Sequence, residues 1–276
     1  MELDTAKALV AAVFVGFAIA ELATGRFGPR GRRFDPLVDA VCALLVPGVL
    51  LLGVLHTSTT LSALAFPDAA DMLAHLPAWQ MFGAFLILDD LTQYGWHRLS
   101  HSVPALYSLH RAHHSPEYLS VRVVYRNNLV YYVIMPGVWL SGLALHLGLG
   151  AVYPVYVAAK MAVIIGAHAA VPWDAPLYRH PIGRKVMAVV ARIISTPSTH
   201  AAHHGRHEGD GITHYKGNFG NFLFLWDWLF GTAHITGQRP ATYGLEKVVP
   251  VSPLTELLWA PGAAVQTVDD DGTDPR

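Results

Sequence analysis

The chain has 276 residues, 53% of them hydrophobic and only 14% charged, with a mean hydropathy of +0.34. Soluble domains carry about a quarter charged residues, so this balance points to a membrane. A net charge of −1 and a pI near 7.0 argue against a nucleic-acid partner. The lone cysteine, Cys42, excludes an intrachain disulfide and an iron–sulfur cluster.

Five apolar stretches, near 7–24, 38–57, 76–95, 129–147 and 152–170, are long enough to cross a bilayer, which needs roughly 20 residues per helix. The start, MELDTAK, is acidic and lacks a basic region, so no cleaved signal peptide is expected. The first stretch is the weakest, because Lys7 and Glu21 bracket only thirteen uncharged residues. Pro47 is expected to kink the second. The fourth and fifth form a hairpin across Gly148-Leu149-Gly150, with Pro154 opening the return helix. Lys160 lies unexplained within the fifth. Residues 182–194 read as an amphipathic helix, lying on the membrane surface or packed on the polar domain. The tail VDDDGTDPR is polar and acidic, and is expected to be disordered.

These elements predict an all-α fold: a polytopic membrane helical bundle with a cytoplasmic, histidine-rich cap. Three regions are expected: N-terminal transmembrane helices over 1–75, a catalytic domain over 76–246, and a tail over 247–276. Arg26, Arg30, Arg32 and Arg33 put the first loop in the cytoplasm by the positive-inside rule. Counting crossings, segment 96–128 (with Arg98, Arg111, Arg122 and Arg126) and everything after 171 fall on that same side.

The chemistry lies in nine histidines in four groups: His97 and His101 in HRLSH; His110, His113 and His114 in HRAHH; His168 alone; and His200, His203 and His204 in HAAHH. Neutral imidazole is a common ligand for iron, zinc and copper. On a helix, positions i, i+3 and i+4 share a face, so each HxxHH word can aim at least two rings at one point. The supply of nitrogens exceeds what one tetrahedral zinc uses, which indicates a two-metal centre. His207 and His214 flank the last word and read as loop histidines. His56, His75, His146, His180 and His234 have no spacing partners.

Asp90, Tyr94, His97 and His101 recur at helical spacing along one stripe. A carboxylate near the membrane boundary is costly unless it is paired. Asp90 is therefore expected to accept the distal N–H of a metal-binding histidine and to fix its tautomer, with Tyr94 supporting it. Asp89 is assigned to helix-end solvation.

Residues 85–246 as a whole resemble the fatty acid hydroxylase, or sterol desaturase, superfamily of membrane non-haem iron oxygenases. The resemblance rests on the Asp90-to-His97 spacing, HRLSH, HRAHHS, the hairpin, HAAVPWD, TPSTHAAHHGR, NFGN (218–221) and LWDWLFGT (225–232). It implies two iron ions held by eight to ten histidines at the cytoplasmic face. It also implies O2 as co-substrate, and hydroxylation or desaturation of a sterol, fatty acyl or ether lipid from the bilayer. The HHS and HHGR wording is similar to the alkylglycerol monooxygenase branch, which uses tetrahydropterin. Two positions depart from the pattern: Lys216 where members carry an acidic residue, and Ile164 where some carry a histidine. No Gly-rich dinucleotide fingerprint follows a strand and no CxxC is present, so electrons must come from outside. The donor is a ferredoxin or cytochrome b5-like carrier with its reductase, or a pterin. Competing readings are a histidine-rich metal-binding or transport protein and a membrane zinc hydrolase. The transporter reading requires polar ligands spread through the spans. The hydrolase reading finds no HExxH.

Overall fold

A computed structural model describes residues 3–27, 31–246 and 251–258; Arg30 and the VDDDGTDPR tail lie outside the described residues. Among the described residues there are no strands, only isolated bridges pairing Ile194 with Leu223 and Gly205 with Tyr243. The fold is all-α, as expected.

Five long helices run between the same two ends of the molecule. They are α1 (Leu3–Ala23), α2 (Asp35–Ala65), α3 (78–102), α5 (Leu129–His146) and α6 (Tyr153–His168), with α4 (Pro104–His114) following α3. At one end Glu21 of α1 is fully buried and accepts from Ser120 Oγ at 2.6 Å, Ala170 N at 2.7 Å and Val121 N at 3.1 Å. At the other end His146 Nε2, closing α5, donates to Phe66 O beyond α2 at 2.9 Å, and Asp71 N donates to His146 O at 3.0 Å. The hairpin turns at Gly148, whose φ of +95° suits glycine.

Three of these helices, α1, α2 and α5, are long and apolar enough to cross a membrane. Val15, Ile19, Leu44, Val49, Leu61 and Leu64 are each more than half exposed, an outward apolar surface that suits lipid. The chain is an integral membrane protein. Of the five expected spans, three coincide with helices among the described residues that meet that length and composition. With 16 residues, α6 reaches about 24 Å, short of the roughly 30 Å hydrocarbon core. Helix α3 is long enough but carries two carboxylates near its middle and histidines beyond them.

The regular helical ladder is interrupted at two places. Around Pro47, where a kink is expected, the chain forms a π-helical turn over Val46–Leu50, since proline offers no N–H to the regular ladder. A second π turn, Leu86–Leu91, puts the consecutive Asp89 and Asp90 both inside, although neighbours on a regular helix point apart. Asp89 is not solvated. It is 7% exposed and accepts from Lys160 Nζ at 2.6 Å and Tyr156 Oη at 2.9 Å, which accounts for the lysine inside α6. Helices α2 and α5 approach closely through small residues: a β-carbon at Gly142 would collide with Ser58, whose hydroxyl donates to Trp139 O.

Helix α7 (Pro181–Ile193) buries Gly183, Met187 and Ala191 against the body. It turns outward an apolar row of Ile182, Val186, Val189 and Ile193, each at least 46% exposed, as a helix lying in the membrane surface requires.

The Asp89–Lys160 pair gives the first prediction. Lys160→Met leaves a buried carboxylate without its counter-charge and should lower unfolding free energy by about 3–5 kcal/mol. Adding Asp89→Asn should recover most of that loss, read as thermal unfolding in detergent. An unstable double variant would contradict the pairing as the cause.

Candidate metal centre

Each histidine word sits on a short helix with clear end signals. Pro104 opens α4 at a position where its missing N–H costs nothing, and the helix closes at His114. Helix α8 (Pro197–His203) starts with a capping box, in which Thr196 N donates to Thr199 Oγ1 at 2.9 Å and Thr199 N to Thr196 Oγ1 at 3.5 Å. Asp174 Oδ2 accepts from Ser198 N at 2.8 Å. Every residue of α8 is buried, so its three-residue register is fixed from all sides.

The structure brings all nine expected histidines together, in two adjoining groups. His97, His101, His110, His114 and His203 form one; His113, His168, His200 and His204 form the other. Within each group the candidate nitrogen atoms lie within 4.8 Å of one another. The two HxxHH words divide their ligands in opposite ways. His110 and His114, one helical turn apart, face the first group while His113 faces the second. His200 and His204 face the second while His203 faces the first. The rings of His114 and His204 stack at 4.4 Å between the groups. The other histidines stay outside: His207 pairs with Glu246 at 3.0 Å, and His214 lies against His234.

The tautomers follow from the partners. A backbone carbonyl only accepts, so a ring nitrogen bonded to one must carry the proton. His97 Nδ1 donates to Phe219 O at 2.7 Å and His203 Nδ1 to Gly217 O at 2.7 Å. His113 Nδ1 donates to Arg126 O at 3.0 Å and His168 Nδ1 to Ile164 O at 2.8 Å. With Nδ1 protonated, Nε2 of each neutral ring is a bare lone pair. Yet His97 Nε2 and His203 Nε2 face each other at 3.0 Å, and His113 Nε2 and His168 Nε2 at 3.5 Å. Neither pair can share a proton; opposed lone pairs of this kind repel unless a cation lies between or beside them. His101 Nε2 and His200 Nδ1 are buried with no hydrogen-bond partner. The donor set fits a metal ion in each group.

Burial, and secondarily the neighbouring imidazoles, hold His110, His113, His114, His200, His203 and His204 well below the ordinary histidine range. They are neutral at physiological pH, the form that binds metal.

Asp90 and Tyr94 fall on the expected stripe but do not touch a histidine. Asp90 Oδ2 accepts from Trp226 Nε1 at 2.7 Å and Leu223 N at 3.2 Å, and Tyr94 Oη bonds to Thr232 Oγ1 at 3.0 Å. Both brace the segment leading into and out of α9 (Leu225–Phe230) rather than orienting a ring. The reason is that loop carbonyls from 217 and 219 reach the ring N–H groups first.

Several groups that do orient the rings carry no histidine-type signal. Asp227 is fully buried; Oδ1 accepts from Phe219 N at 2.8 Å and Thr232 Oγ1 at 2.6 Å, and Oδ2 from Gly220 N at 2.6 Å. It thereby sets the loop whose carbonyls hold His97 and His203. Burial pushes its carboxyl up to about 6, so it is ionised at neutral pH with both oxygens free to accept. Asn218 holds that loop in a left-handed turn, φ +55°, and donates to Thr199 O and His234 O at 2.9 Å each. Asn127 Oδ1 accepts from His110 Nδ1 at 2.9 Å. Arg126, fully buried, binds Ala112 O through Nε at 2.8 Å, Asp39 at 2.7 Å, Asp35 at 2.8 Å and Glu256 at 2.5 Å. Glu256 lies on α10 (Pro253–Leu257), within the expected tail, and Asp35 and Asp39 lie in the expected N-terminal region.

A membrane helical bundle ending in two buried, lone-pair-opposed histidine clusters is the architecture of a histidine-rich metalloprotein. The chain belongs to the fatty acid hydroxylase family: residues 82–232, more than half of it, match that family's model. It is also similar to alkylglycerol monooxygenases. Against the human protein it is 28% identical over 170 residues, 60% of this chain and 33% of that one. Against the Danio rerio protein it is 28% identical over 155 residues, 56% of this chain and 30% of the relative. The chain thus spans roughly a third of the length of the curated relatives it matches. No solved structure matches it closely.

The neutral rings generate a pH prediction. Above their unfolded pKa of about 6.5 neither folded nor unfolded histidines bind protons, so stability is independent of them. Below it the unfolded chain takes up protons that the buried rings refuse. The metal-free protein should therefore keep a constant Tm from pH 8 to 7 and lose stability steadily below about 6.5. A Tm that is flat down to pH 5 would contradict neutral burial.

Proposed function

We propose that the chain is an O2-dependent, non-haem di-iron oxygenase that oxidises a lipid at the cytoplasmic end of its helical bundle. The observation that carries this reading is the pair of facing, unprotonated Nε2 atoms in each group, which only a cation accommodates. Family membership supports iron and O2 as the metal and co-substrate. The relatives' name, alkylglycerol monooxygenase, supports an alkylglycerol as the first substrate to test, ahead of sterols and fatty acyl chains. Arg26, Arg32 and Arg33, which lie at the histidine end, support the cytoplasmic side.

His97, His101, His110, His114 and His203 would hold one iron, and His113, His168, His200 and His204 the other. Bound there, iron supplies the O2-derived oxidant that an unactivated C–H bond requires. The chain's own contribution is ligation, orientation and exclusion of water. The carbonyls of Gly217, Phe219, Arg126 and Ile164 keep each Nδ1 protonated and each Nε2 aimed inward. Five donors in one group and four in the other leave the second with more room for a non-protein ligand. Ile164, where some members have histidine, contributes only its carbonyl. The apolar helix exteriors let a lipid approach from the bilayer with its head at the histidine end.

The lack of a Gly-rich dinucleotide fingerprint and of a CxxC in the sequence supports an outside electron source, a ferredoxin, a cytochrome b5-like carrier or a tetrahydropterin. His113→Ala and His203→Ala should each abolish turnover of the lipid and remove iron from the purified protein, read by metal analysis and product chromatography. Full turnover by an iron-depleted variant would refute the assignment. One zinc per chain in the purified wild type would favour a hydrolase.

A further inference from the structure

We infer that Glu256, on the C-terminal helix α10, is a positioning residue for the four-histidine metal group, acting through Arg126. This rests on the two-metal reading above. Arg126 is the joint. Its carbonyl accepts the His113 Nδ1 proton at 3.0 Å, and its Nε binds Ala112 O, the residue before His113, at 2.8 Å. One side chain and its own carbonyl therefore grip the His113 turn of α4 from both sides.

The guanidinium has no solvent to fall back on, being fully buried. It is held by Asp39 at 2.7 Å, Asp35 at 2.8 Å and Glu256 at 2.5 Å. Glu256 also accepts from Arg32 through its other oxygen at 2.5 Å, and Arg122 pairs with Asp39 at 2.8 Å. Three cations thus meet three carboxylates. Removing the charge of Glu256 leaves three guanidiniums facing only Asp35 and Asp39, one positive charge in excess around the fully buried Arg126, where an uncompensated charge is costly. With Glu256 neutral, Arg126 is drawn toward Asp35 and Asp39 alone, which strains its Nε bond to Ala112 O and tilts the carbonyl that fixes His113.

The sequence separation sharpens the point. Arg126 and all nine histidines lie within the family-matched residues 82–232, while Asp35, Asp39 and Glu256 lie outside them. The conventional metal-bearing unit is therefore clamped by carboxylates from both flanking segments. Loss of the Glu256 carboxylate should weaken the group containing His113, His168, His200 and His204 more than the five-histidine group, because the Arg126 carbonyl holds a ring of the former and none of the latter.

The test uses full-length protein with Glu256→Gln and Glu256→Asp, and Asp89→Asn as a control that removes an equally buried ion-pair carboxylate away from the histidine carbonyls. Iron per chain is measured before and after exposure to a graded chelator, alongside Mössbauer spectra and the Tm of the metal-free protein. The expected result is two irons in wild type and Asp89→Asn, about one in Glu256→Gln with loss of the spectrum of one site, and partial recovery in Glu256→Asp. Two irons with an unchanged spectrum in Glu256→Gln overturns the inference and leaves the two-metal reading standing. Parallel iron loss in Glu256→Gln and Asp89→Asn at matched Tm also overturns it, because the effect is then general destabilisation. Fewer than two irons in wild type overturns both.

Discussion

The structure depends on where the imidazole protons sit. An imidazole has two nitrogens, and a carbonyl placed against one of them forces the other to be bare. Four backbone carbonyls do this here, on three different segments of chain, so that lone pairs converge instead of hydrogen bonds. Such convergence is unfavourable by itself. The fold tolerates it because the surrounding helices are packed and the loop at 217–220 is pinned by Asp227 and Asn218. Preorganisation of this kind is what a metal site needs, since the ligands are aimed before the ion arrives.

The same requirement explains the bundle. Helices α3, α4, α6 and α8 each bring histidines to one end, and they can do so only if their far portions are anchored. Apolar packing anchors most of that length. Among the polar exceptions are the Asp89–Lys160 pair within the bundle and the Arg126 cluster at the histidine end. Both are fully paired, as burial demands.

Much of this was legible in the sequence, and the reason is periodicity. The i, i+3, i+4 spacing of HRAHH and HAAHH foretold that rings would share a face, and all nine expected histidines do fall into the two groups. The all-helical fold followed from the apolar stretches, and the hairpin from Gly148 and Pro154. What was not legible was long-range or backbone-borne. A carbonyl that orients a ring has no side-chain signature, so Phe219 and Gly217 could not be chosen, whereas Asp90, expected in that role, accepts from Trp226 and Leu223. The π turn that buries Asp89 beside Asp90 breaks the very periodicity on which a helical-wheel reading relies. Arg126 looked like one loop arginine among four, because its three carboxylates come from positions 35, 39 and 256.

The account stands on two metal ions, one in each histidine group. Anomalous X-ray diffraction at the iron absorption edge from crystals of the purified protein tests this most directly. The account predicts two iron peaks, one ringed by His97, His101, His110, His114 and His203 and the other by His113, His168, His200 and His204. A single peak, or none at the iron edge with one at the zinc edge, would contradict it.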